Sequence, residues 1–246
     1  MNEKLNYCII INRMCYSLKT SIISYSIGMI SGILALCTRQ YVLASLIFAF
    51  VQMQLAEILI WKSIDDKNDD LNRIGTSFGK YLLPIHNFAI GVGIILSIHF
   101  LSETEKTSEF STWIPLIIGL IFYVVILVLH YFRETYSDIT LPLDPTCKDN
   151  TNRCQNPNNR LLWPWPHKWY IYSFIISLII LFIYIKPLSS QILLGVAFSL
   201  TFIISAIVQP KVVGSIWCNA AAIMCPILVF ANYAMIRNMK SSDILT

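Results

Sequence analysis

Seven apolar runs of about 20 residues, parted by polar connections, constrain this chain more than any motif in it. They occupy residues 20–37, 41–61, 81–101, 112–132, 169–185, 191–208 and 213–236, each close to the roughly 20 residues with which a helix crosses a bilayer. Only 13% of the 246 residues are charged, 56% are hydrophobic, and the mean hydropathy is +0.62. A soluble domain carries about 25% charge. The expected fold is all-α, a polytopic transmembrane helical bundle of about seven spanning helices, forming one domain over residues 20–236. Residues 1–19 are expected to be a cytoplasmic or interfacial segment, because the apolar stretch at 7–11 is too short for a signal peptide and runs into Asn12 and Arg13. Residues 237–246 are expected to form a C-terminal tail.

The first run is rich in small residues, with Ser24, Gly28 and Gly32 at four-residue spacing, a pattern that lets helices approach closely. Pro84 and Pro115 fall in or near first turns, where proline is tolerated, whereas Pro226 lies inside the last run and should kink it. Two connections are long. Residues 62–80 mix Asp65, Asp66, Asp69 and Asp70 with Lys62, Lys67, Arg73 and Lys80; without EF-hand spacing they read as a solvated loop rather than a calcium site. Residues 133–168 end in Trp163-Pro-Trp165-Pro-His167-Lys168-Trp169, which reads first as an interfacial aromatic anchor and second as a lid over a cavity.

With seven crossings, the side holding the N-terminus carries 13 Lys and Arg and the other side 5. The positive-inside rule then places the N-terminus in the cytoplasm and the C-terminus on the opposite side. Cys147 and Cys154 fall in the reducing compartment, against a disulfide; the opposite topology would revive one. Seven cysteines without a C-x-x-C pair argue against a zinc module, and those in apolar runs read as small hydrophobes.

Against this apolar background one charge stands out. Glu57 is the only ionisable residue between Tyr41 and Trp61, and Phe50, Gln54, Glu57 and Trp61 share one helical stripe. A carboxylate in hydrocarbon costs on the order of 2–3 kcal/mol, so Glu57 should face protein or water. At 1.5 Å per residue it sits about 6 Å below the cytoplasmic surface. His86 and Asn87 near the start of the third span, and Trp217 and Asn219 near the start of the seventh, fall at about 6–9 Å. Ser24 and Ser26 of the first span lie at similar depth. Gln54, Glu57, His86, Asn87, Trp217 and Asn219 are therefore the candidate polar intramembrane site.

Such a layer either clasps helices together or receives a proton, ion or small polar ligand. A transporter or channel-like protein, a lipid-acting enzyme with Glu57 and His86 as acid and base, and a structural or receptor-like component all remain open. No internal repeat of the transporter kind is evident. No lysine lies inside a span to hold retinal, and no nucleophile elbow or phosphate-cradling glycine loop occurs. No cofactor and no metal are expected. The expected partner is the lipid bilayer, not nucleic acid: the net charge of +4 is spread over the connections.

Glu57-x-x-x-Trp61, then Leu71-Asn72 and Thr76, then Ser215-Ile216-Trp217-Cys218 opening the last helix, resembles a family of seven-helix membrane proteins of large DNA viruses and some protists. The resemblance covers most of the chain and implies a multi-pass membrane protein without an assigned activity. It supplies no catalytic residues. The Ile, Asn and Lys content would suit an AT-rich viral genome.

Overall fold

The computed structural model describes residues 17–100, 113–132, 139–142, 161–163, 172–173, 175–177, 179, 188–208 and 213–243. They form α1 (Leu18–Cys37), α2 (Tyr41–Asp65), α3 (Asp69–Leu82), α4 (Ile85–Phe100), α5 (Ile114–Phe132), α6 (Leu188–Val208) and α7 (Val213–Asp243), with two-residue strands β1 (Leu141–Pro142) and β2 (Leu161–Leu162). The described residues between 172 and 179 are also helical. By length and composition α1 and α2 can each cross a membrane, and α3 with α4, bent by 50° at their junction, make a third if taken as one broken span. Shorter apolar helical stretches lie at Ile114–Val128, Ile192–Ser205 and Ala222–Arg237.

At the hub is α2. It packs against α1, α3, α4 and α7, and 15 of its 25 residues are buried, so little of its circumference reaches the surface. Its neighbour α1 buries only 6 of 20, and all six are small: Ser21, Ser24, Gly28, Ser31, Gly32 and Ala35. The large residues of α1, among them Ile22, Ile23, Ile30 and Ile33, are exposed. Here polarity runs inside-out. The pattern recurs at residues 172–179, where Ser173 and Ser177 are buried while Tyr172, Ile175, Ile176 and Ile179 are exposed. On α5, Ile117, Leu120, Ile121, Val124, Val125 and Val128 make an exposed stripe at helical spacing.

Small residues set how closely the helices approach. Gly28 faces Val51, and Gly32 faces the Phe48 ring. A Cβ on Gly93 would stand 2.6 Å from the Cα of Val42, and one on Gly91 2.6 Å from the Cα of Leu116. Thus α4 is held backbone-close to α2 on one side and to α5 on the other.

Both ends of α2 are turned by the same device. After α1, the N–H groups of Arg39 and Gln40 return to Leu36 O and Ala35 O; after α2, those of Lys67 and Asn68 return to Ile64 O and Ser63 O. Each pair completes a Schellman turn, with Arg39 (φ 60°) and Lys67 (φ 51°) in the left-handed position glycine usually fills. The next residue then stands at the start of the following helix: Gln40 precedes α2 without a side-chain cap bond, whereas Asn68 caps α3, its Oδ1 accepting from Leu71 N at 3.0 Å.

Several expectations need revision. Much of the anticipated loop at 62–80 is helical, because Asn68 caps it, Asp69 and Asp70 suit its first turn, and Lys80 suits its last. Hydropathy misses α3 because four of its five buried residues, Asn72, Gly75, Thr76 and Gly79, are polar or glycine and only Leu82 is a large apolar one. Residues 237–243, expected in the tail, continue α7. Trp163 is buried in the apolar core at 5% exposure, unlike an anchor laid in the headgroup region. Pro84 stands immediately before α4, Pro115 in the first turn of α5 and Pro226 inside α7. The N-terminal segment up to residue 16, Cys147, Cys154 and Trp165 lie outside the described residues.

Candidate functional site

The α1–α2 hairpin brings residues together in antiparallel register. Gly32 meets Phe48, Gly28 meets Val51, and Ser21 meets Glu57. Ser21 Oγ donates to Glu57 Oε2 at 3.4 Å, and both residues are about 1% exposed. Ser24 is buried on the same face. Ser26 is exposed and returns its hydroxyl to Ile22 O, so it takes no part in the interior. Ser21, one turn before Ser24, was not among the anticipated residues; pairing the two helices antiparallel across their small-residue stripe would have found it.

Flanking Glu57 on its stripe, Gln54 and Trp61 are 1% and 4% exposed. Gln54 Nε2 and Trp61 Nε1 are buried donors that meet no acceptor among the described residues. An unmatched buried donor costs about 1–3 kcal/mol. Three polar side chains thus line one face of the hub helix, with donor capacity to spare on both sides of the carboxylate.

His86 and Asn87 are also buried, at 0% and 1% exposure, but they face other partners. His86 Nε2 lies 3.3 Å from Ala49 O, and since a carbonyl only accepts, this nitrogen carries the proton. Its ring stacks on Phe50 at 4.2 Å, and Phe50 stacks in turn on Phe198 at 5.4 Å. Phe50 is seven residues before Glu57, about 10 Å along the axis. Asn87 Nδ2 donates to Ser173 Oγ at 3.1 Å while Ser177 Oγ donates to Asn87 Oδ1 at 2.8 Å, tying α4 to the helical residues at 172–179. Trp217 and Asn219 lie on α7, and their side chains are outside the described residues.

Two further amide clasps join distant parts of the chain. Asn72 and Thr140 pair reciprocally: Asn72 Nδ2 donates to Thr140 O at 3.0 Å, and Thr140 N donates to Asn72 Oδ1 at 2.9 Å. The Thr76 and Thr140 hydroxyls meet at 2.7 Å beside them. Gln40 Nε2 donates to Val229 O at 3.1 Å, and Asn232 Nδ2 donates to Gln40 Oε1 at 2.7 Å, fixing the α1–α2 turn to α7. These clasps spend their hydrogen-bonding capacity on holding elements together. On the Glu57 stripe, by comparison, Gln54 Nε2 and Trp61 Nε1 meet no acceptor among the described residues.

Among the described residues no three of His, Cys, Asp and Glu gather as a metal site requires. At the open end of the hairpin, one turn beyond Glu57, a pocket of about 510 Å³ lies between the start of α1 and the end of α2, with Trp61 in its wall. No family model, no curated protein and no solved structure matches the chain. What the fold defines is a helical bundle with apolar helices able to cross a membrane and a buried carboxylate on its central helix.

Proposed function

We propose that this chain is a multi-pass integral membrane protein of about seven spans, its N-terminus in the cytoplasm, in which the Glu57 stripe takes up a proton or small polar solute from the cytoplasmic side. Inside-out polarity supports the membrane part. Lipid tails solvate exposed Ile and Val, and close helix contact through Ser and Gly replaces the hydrophobic drive that lipid abolishes. In water, the stripes on α1 and α5 would be apolar patches of the kind that drive aggregation.

The observation that carries the site is Glu57 at 1% exposure on the hub helix, between two buried donors without protein acceptors among the described residues. An intramembrane ionisable group is rarely kept for packing alone. By contrast Asn87, Asn72 and Gln40 sit in the clasps described above and read as packing. The His86 ring stacks on Phe50, two turns before Glu57 on α2, so the geometry supports the solute reading more than an acid–base pair of Glu57 and His86.

Proteoliposomes carrying trapped dyes for protons, Na⁺ and K⁺ test the proposal. Wild type is expected to pass at least one of these ions, and Glu57→Gln, which keeps shape and hydrogen bonding but removes charge, to fall to the level of empty vesicles while its melting temperature is retained. Equal flux through both proteins, or no flux through the wild type, sinks the proposal.

A further inference from the structure

The pocket at the open end of the hairpin has a composition of its own. Its volume of about 510 Å³ lies within the range of ligand sites, roughly 300–1,000 Å³. Lys19 on α1 and Asp65 on α2 stand in its wall, both exposed, and neither enters an ion pair among the described residues. Trp61 is 4% exposed, with its indole N–H unmatched among the described residues. Ser17, also in the wall, caps α1, so the partial positive charge of that helix start faces the same space. Leu18, Ile64, Ile22 and Ile23 make its apolar wall, and Ile22 and Ile23, 45% and 48% exposed, continue it onto the outer face of α1.

We infer that this pocket binds a zwitterionic aminophospholipid of the phosphatidylethanolamine class. The ammonium of Lys19 and the start of α1 offer positive charge and donors to the phosphate and ester oxygens. Asp65 offers an acceptor and negative charge to the headgroup ammonium. The acyl chains leave along Ile22 and Ile23. An anionic lipid without an amine places only negative charge beside Asp65, and a choline head brings no N–H for it to accept. The inference rests on the membrane reading above, and not on ion flux through Glu57.

Native mass spectrometry after exchange into nanodiscs of mixed phosphatidylethanolamine, phosphatidylcholine and phosphatidylglycerol reads the retained lipid. Wild type is expected to keep one phosphatidylethanolamine in preference to the others. Asp65→Asn should lower the preference over phosphatidylglycerol by about threefold, as loss of one exposed charge pair implies. Lys19→Gln should lower retention of all three lipids. Both positions are exposed, so the variants are expected to fold. An integrated wild type with no headgroup preference, or variants that match it, overturns the lipid site alone. A chain that alkaline carbonate strips from membranes overturns the membrane reading and the lipid site together.

Discussion

Replacing Gly93 by alanine tests how α4 is seated on the hub. A Cβ at this position would lie 2.6 Å from Val42 Cα, 3.1 Å from Tyr41 O and 3.2 Å from Ser45 Cβ. Carbon atoms rest at about 3.5–4.0 Å, so the overlap with Val42 is close to 1 Å. The atom met is backbone and cannot rotate away, so α4 must lift from α2 at a cost of about 1–3 kcal/mol. Gly32→Ala is the comparison. Its new Cβ would meet Phe48 ring atoms at 2.8–3.0 Å, but Phe48 is only partly buried and its ring can turn aside, so a smaller loss is expected. Both are measured by unfolding in mixed micelles, following tryptophan fluorescence against SDS fraction. If Gly93→Ala is as stable as wild type, or less damaging than Gly32→Ala, the close α2–α4 approach is wrong.

Asn72→Ala should cost about 2–3 kcal/mol, because it leaves the N–H and C=O of the fully buried Thr140 unmatched. Limited proteolysis should then cut the 133–168 connection faster than in wild type, and an unchanged cutting rate would contradict the clasp. Asn68→Ala should cost about 1 kcal/mol by removing the α3 cap, read as a lower unfolding midpoint that Asn68→Ser restores.

The helices legible in the sequence were those whose signal is bulk hydropathy. The run starting at Tyr41 became α2 as expected, extended by one turn to Asp65, and α1 gained Leu18 and Lys19 with Ser17 as cap. Hydropathy was silent on α3, whose interior face is mostly amide, hydroxyl and glycine; its legible signals were the Asn68 cap and Gly75 and Gly79 at four-residue spacing. The burial of Gln54, Glu57, His86 and Asn87 followed from the cost of polar groups in an apolar run. Their partners did not. Depth counting ranks residues along the bilayer normal but carries no azimuth, so it placed Glu57 and His86 on one level while their contacts on α2 lie two turns apart. Azimuth comes from pairing helices through their small residues, which selects Ser21 for Glu57. The Asn72–Thr140 clasp joins positions 68 residues apart, and no local periodicity encodes it.

The twin turns that bracket α2 also bear on how the chain is assembled. Each takes three residues, so the central helix receives two of its four neighbours from the segments adjoining it in sequence. Contacts of short sequence separation close quickly, and the Ser21–Glu57 bond spans only 36 residues. If the hairpin enters a bilayer as proposed, the carboxylate that would be costly in lipid is met by a hydroxyl of the same hairpin. The later helices then dock on a unit in which that group already has its Ser21 partner.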